Sequence, residues 1–158
     1  MTNFRAVLIT IAACAGLHAQ CIPGGLSVVV PKNNPTDGLS MAQLRKLVLG
    51  DVHTWPDKSN VTLIETDQES PIFRCMLTIV VRMSLPEYRK YILSAEFRGD
   101  DPLRAKTVDS SPTAVKSVAG YTGAITIVDT NSLTALAGSV KVLTINGKKP
   151  GEAGYPLP

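Results

Sequence analysis

The sequence predicts an α/β fold, a mostly parallel sheet flanked by helices, on three observations. Residues 26–30, 61–66 and 123–128 are near-continuous apolar, β-branched runs rather than alternating ones, as expected of strands covered on both faces. Between them stand segments whose apolar residues recur three and four apart, the period of a helix with one buried face. Each switch carries its own punctuation: Pro31, Gly50, Ser70–Pro71, Ser111–Pro112 and Asn146–Gly147. Alternation of this kind argues for crossover connections and a parallel sheet.

At 158 residues the chain is one domain, long enough to bury a core. Its 44% hydrophobic and 18% charged residues belong to a folded chain. The net charge of +3 forms no basic stripe interleaved with aromatics, so nucleic acid is not an expected partner.

Residues 1–19 read as a signal peptide. Arg5 supplies the positive start, residues 6–17 an apolar stretch too short to span a bilayer, and Ala19 the small residue before a cut at Gln20. The expected location is periplasmic or secreted. A competing parse takes Ile11-Ala12-Ala13-Cys14 as a lipobox, with Cys14 lipid-modified. It shortens the apolar region below its usual length and is the less favoured. Residues 20–25 then form a flexible leader, 26–145 the domain, and 146–158 a Gly- and Pro-rich mobile tail. Cys21 and Cys75 survive cleavage. They could pair in an oxidising compartment, or Cys75 could be a small buried hydrophobe and Cys21 unpaired; the residues leave both open. No CxxC spacing suggests zinc.

In order, the strand at 26–30 stops at Pro31, and a polar turn fills 32–38. Ser40 and Gln43 make a capping box for a helix with Met41, Leu44, Leu47 and Val48 on one face. A surface loop at 51–60 carries Trp55. The strand at 61–66 leads to a helix at 71–82, whose core face is Phe73, Met76, Leu77 and Val80. Ser84 and Glu87 cap a further helix running to about Leu93. A charged loop (98–104), a strand (105–108), a helix (111–119) and a strand (123–128) follow. A short helix at 133–137 and a strand at 140–145 close the domain.

The stretch from Thr62 to Arg74 is the one around which function is expected. Ser70 suits the cap, since its hydroxyl can accept from amides one turn on. Pro71 suits the first helical position. A strand end followed by a helix start is where open α/β sheets bind ligands, anions especially. Other constellations are weaker. His53 beside Asp51 lacks a nucleophile elbow or reactive cysteine, Glu65, Asp67 and Glu69 read as a solvated face rather than a cation site, and Trp55 reads as a packed residue rather than a stacking platform. No dinucleotide or phosphate-loop fingerprint is present. An enzyme is not expected, nor is a cofactor or a metal.

The order of signals resembles a family. Leu39-Ser40-Met41-Ala42-Gln43-Leu44-Arg45-Lys46-Leu47-Val48-Leu49-Gly50, with Thr54-Trp55-Pro56-Asp57, is similar to the "LSxxQLRxIFxGxxxxWPDG" stretch of phosphate-type periplasmic substrate-binding proteins. The resemblance continues through Thr66-Asp67-Gln68, Ser70-Pro71-Ile72-Phe73-Arg74, Leu85-Pro86-Glu87-Tyr88, Phe97-Arg98-Gly99 and Gly123-Ala124-Ile125, and covers roughly residues 26 to 145. Members have two α/β lobes that close on an anion, so at about half their length this chain resembles a single lobe of that type 2 fold. The resemblance implies an exported domain for a small, phosphate-like anion, related to ABC-transporter binding proteins. Ser70, the amides of Ile72 and Phe73, and Thr66 are its implied ligand-binding residues. The departures are specific. Thr66 stands where the family has an Arg, Pro71 and Ile72 replace Gly and Thr, and Thr126 occupies the second Gly of "GAIGY". The implied site is therefore weak or degenerate. Implied partners are a small anion, a membrane transporter or envelope protein, and a second copy in a homodimer. The alternative is a ligand-free interaction domain of the cell envelope.

Overall fold

Every residue of the first strand, β1 (Leu26–Pro31), is buried, as its near-continuous apolar run leads one to expect, Ser27 included. The computed structural model describes residues 21–98, 105–135 and 138–158. The signal peptide, Cys14, most of the charged loop and the end of the expected helix at 133–137 lie outside them. The order is β1, β2 (Gly38–Leu39), α1 (Met41–Leu49), β3 (Thr62–Thr66), α2 (Pro71–Met76) and α3 (Leu85–Phe97). Then come β4 (Ala105–Val108), α4 (Ser111–Gly120), β5 (Ala124–Asp129), a 3-10 turn (Thr130–Ala135), β6 (Val140–Val142) and β7 (Thr144–Ile145).

The main sheet has the order β4-β3-β5-β1-β6 among the described residues. β3 pairs parallel with β4 and β5, whereas β1 is antiparallel to both β5 and β6. Four strands thus share a direction and β1 alone reverses it. The pleat sends alternate side chains to opposite faces. Leu26, Val28, Val30, Leu63, Ile125 and Ile127 join the larger core, under α1, α2 and Tyr88 of α3. Val29, Ile64, Ala124 and Val128 meet Ala114, Val115 and Val118 of α4 on the other side. Helices cover both faces, which is why the strand runs read as continuous.

Three expectations are corrected. The helix at 71–82 is regular only to Met76; Leu77–Val81 widen into a π turn, and Arg82 ends it in the left-handed region at φ 58°. A run of β-branched Thr78, Ile79, Val80 and Val81 fits a regular helix poorly, and widened turns of this kind are uncommon. The single strand expected at 140–145 divides after Val142. Residues 144–145 leave the main sheet to pair in parallel with β2, which the turn signals around Gly38 had hidden. The helix expected to end near Leu93 runs to Phe97.

The segments expected as a flexible leader and a mobile tail dock against one another. Cys21 is disulfide-bonded to Cys75, with Cα atoms 5.7 Å apart. Ile22, Tyr155 and Leu157 belong to the larger core, and the Leu26 amide donates to the Leu157 carbonyl at 3.0 Å. Gly25 permits this approach: its φ is 75°, and a Cβ there would lie 2.7 Å from that carbonyl oxygen. Composition suggested disorder because the same glycines that loosen a chain also make the turns that return Tyr155 and Leu157 to the core.

Candidate functional site

β3 ends at Thr66, and residues 67–70 turn the chain into α2. The turn is held locally, for Asp67 Oδ1 accepts from the Glu69 amide at 2.7 Å and the Asp67 carbonyl accepts from the Ser70 amide at 2.9 Å. Ser70 is the N-cap, extended at φ −65° and ψ 146°, with its Oγ accepting from the Phe73 amide at 3.1 Å. Thr66 is buried at the strand end, its Oγ1 2.9 Å from Ser70 Oγ. The fold therefore gathers Thr66, Ser70 and Phe73 at one point. It also ties them to each other: the Phe73 amide is engaged by the cap, and the two hydroxyls share a hydrogen bond. Ile72 packs half-buried against the core, and its amide is the one donor of the expected pair that the cap does not use.

The charges around this junction were only partly foreseen. Asp67 and Glu69 are exposed, but Glu65 is 8% exposed and points with Leu63 toward the α1 and α3 side of the sheet. The three carboxylates therefore do not form one cluster. Glu69 is an ion-pair hub, held by Arg74 of α2 and by Arg89 of α3, the latter at 2.9 Å. Arg89 also donates from Nε to Gln68 Oε1 at 3.1 Å. These bonds hold the Glu69 carboxyl below its ordinary range, hydrogen bonds from Arg74 first and Arg89 second. Burial pushes the Glu65 carboxyl up to about 7, against the smaller opposing pull of the Gln68 side chain. Arg74 and Arg89 are the functional-looking residues that motif reading passed over. Arg74 follows Ser70 by four, and so lies one turn on along the same helix face.

Trp55 is buried, and its Nε1 donates to the Gly123 carbonyl at 2.9 Å, fastening the loop to the start of β5. Thr126 sits fully buried in β5 opposite Ile64, without a hydrogen-bond partner on its Oγ1. His53 is exposed, and Asp51 accepts instead from the Tyr91 hydroxyl at 3.1 Å. Among the described residues no three His, Cys, Asp or Glu side chains come together as a cation site.

Helices on both faces of a largely parallel sheet, with a capped helix start beyond β3, invite comparison with known structures. PstS from Borrelia burgdorferi superposes with a TM-score of 0.64 at 12% identity, over 80% of this chain and 49% of that one. An ABC-type phosphate transport receptor from Vibrio cholerae gives 0.62 at 19% identity, over 80% and 48%. A phosphate-binding protein from Stenotrophomonas maltophilia gives 0.62 at 12%, over 82% and 41%. The chain shares the fold of the matched part of these three proteins. The chain spans less than half the length of each of these proteins, from 41% to 49%. No protein-family profile matches the sequence, and no curated protein matches it significantly.

Proposed function

We propose that this chain is an exported solute-binding lobe of the phosphate type whose inherited anion cradle is degenerate. The observation that carries the proposal is the closed set of Thr66, Ser70 and Phe73. Ser70 stands where a binding lobe would present a hydroxyl and amides to an anion. Thr66, where the resemblance places an Arg, offers it a neutral hydroxyl instead. Asp67 and Glu69 beside it oppose an anion, while Arg74 and Arg89 are drawn onto Glu69. Binding rather than catalysis is the role such a junction supports. With one lobe, a bound anion keeps a face in water, where charge interactions are weak. Tight binding then needs a second lobe, from another chain or from a homodimer across the Ser70 face, and a membrane transporter or envelope protein is the proposed downstream partner.

The Cys21–Cys75 disulfide supports an oxidising compartment and hence export. N-terminal sequencing of the protein from the envelope fraction is expected to start at Gln20; a blocked, lipid-bearing Cys14 would reverse that. Titration of the chain with phosphate tests the site itself. The proposal expects binding no tighter than about millimolar.

A further inference from the structure

A cavity of about 350 Å³ opens between β3, the end of α1 and α3, on the sheet face away from α4. That is the small end of the range for ligand pockets. Val48, Leu63, Ile92 and Leu93 make its apolar wall, and Leu93 is 53% exposed, so the cavity is open to solvent on that side. Glu65 projects into it. Its carboxyl is buried; the Gln68 side chain lies near enough to pull on it, but Oε2 has no hydrogen-bond partner among the described residues. A buried acceptor left unmade is costly, and native structures rarely keep one without a reason.

The chemistry of the wall limits what could supply the missing donor. Arg89, the guanidinium at the rim, is committed to Gln68 and Glu69. Glu96 adds a further carboxylate to the lining. Among the described residues the lining is thus negative or neutral toward its contents and disfavours an anion. A neutral hydroxyl would satisfy Oε2, but an ammonium does so with a charge-assisted bond, the stronger of the two. We propose that this cavity binds a small organic cation, its ammonium donating to Glu65 Oε2 and its alkyl chain lying along Leu63, Ile92 and Leu93. The proposal stands apart from the anion reading at Ser70, and each can fail without the other.

Glu65 is pushed up to about 7 by burial, so a cation must draw it into its ionised form. Among the described residues the other groups facing it are Tyr88, Arg89 and Glu96 from α3 and Gln68 from the turn; α1 contributes Val48 and Leu49, and β4 Ala105, none of which titrates. Binding of a cation therefore strengthens as pH rises through the range in which Glu65 ionises.

Calorimetric titration of the disulfide-bonded chain with n-pentylammonium, n-pentanol and pentanoate, at about pH 8.5 and about pH 5.5, tests this. Pentylammonium is expected to bind roughly tenfold or more tighter than pentanol at the higher pH, to lose that advantage at the lower pH, and to leave pentanoate without measurable binding. In Glu65→Gln the preference for the ammonium should vanish. Absence of pentylammonium binding, affinity equal to that of pentanol, or a preference that survives Glu65→Gln would each overturn the proposal. Should that variant not fold, the two wild-type pH conditions decide alone.

Discussion

Thr66 Oγ1 and Ser70 Oγ lie 2.9 Å apart, where β3 gives way to α2, and this contact closes the junction on itself. Ser70 also receives the Phe73 amide at 3.1 Å, so one hydroxyl both caps a helix and anchors a strand end. A side chain with two partners has less to offer a ligand than one held ready for it.

Removing that hydroxyl should be felt as stability. Ser70→Ala is expected to lower the unfolding free energy by about 1 kcal/mol, the usual effect of losing an N-cap acceptor. The loss should be larger if buried Thr66 is left without a partner. Urea denaturation at neutral pH measures it, and an unchanged midpoint would mean that Ser70 does not cap α2.

Glu65 predicts an unusual pH dependence. Its folded-state affinity for a proton is raised from the ordinary 4.5 to about 7, so the folded chain holds that proton more tightly than the unfolded one. The contribution is fully present below about pH 4.5 and is lost as pH rises through about 7. At about 1.4 kcal/mol per factor of ten in proton affinity, the loss is about 3 kcal/mol. Glu65→Gln cannot ionise, so it should match the wild type near pH 4.5 and exceed it in stability near pH 8. Parallel stability curves for the two proteins across that window would contradict the burial of the carboxyl.

The disulfide ties the start of the domain to α2 across 54 residues of sequence. Closing a loop of that length constrains the unfolded chain by about 4 kcal/mol on the entropic estimate, and measured losses commonly fall between about 2 and 5 kcal/mol. Cys75→Ala, or reduction with dithiothreitol, should destabilise the protein by that much. Reduction should have no further effect on the variant. A wild type whose melting temperature ignores dithiothreitol would show that the bond does not form.

Most of the fold was legible because each part declared itself locally. The caps at Ser40, Ser70 and Ser84 begin α1, α2 and α3 where expected, two of them as full capping boxes with Gln43 and Glu87. Other features depend on tertiary partners and left no local mark. The reversed direction of β1 is a matter of pairing, which an apolar run does not encode. Tyr155 and Leu157 gave no periodic signal in a tail of glycines and prolines, yet Leu157 is fully buried. At the candidate site, the Ser70 cap was legible from the Ser-Pro pair itself, while Thr66 entered only through its position in the resemblance, and a part for either in binding is a proposal. Glu65 was misplaced because its parity with Leu63, which sends it inward, was outweighed by its likeness in charge to Asp67 and Glu69. Arg74 and Arg89 were overlooked because their shared partner, Glu69, is brought between them only by the fold.

The most direct test is calorimetric titration of phosphate into the wild-type chain and into Thr66→Arg. A degenerate cradle predicts wild-type binding no tighter than about millimolar. It also predicts a gain of roughly ten- to a hundredfold when the arginine supplies a charge-assisted bond of about 1.5–3 kcal/mol. Micromolar binding by the wild-type monomer, or a folded Thr66→Arg protein with no gain at all, would contradict it.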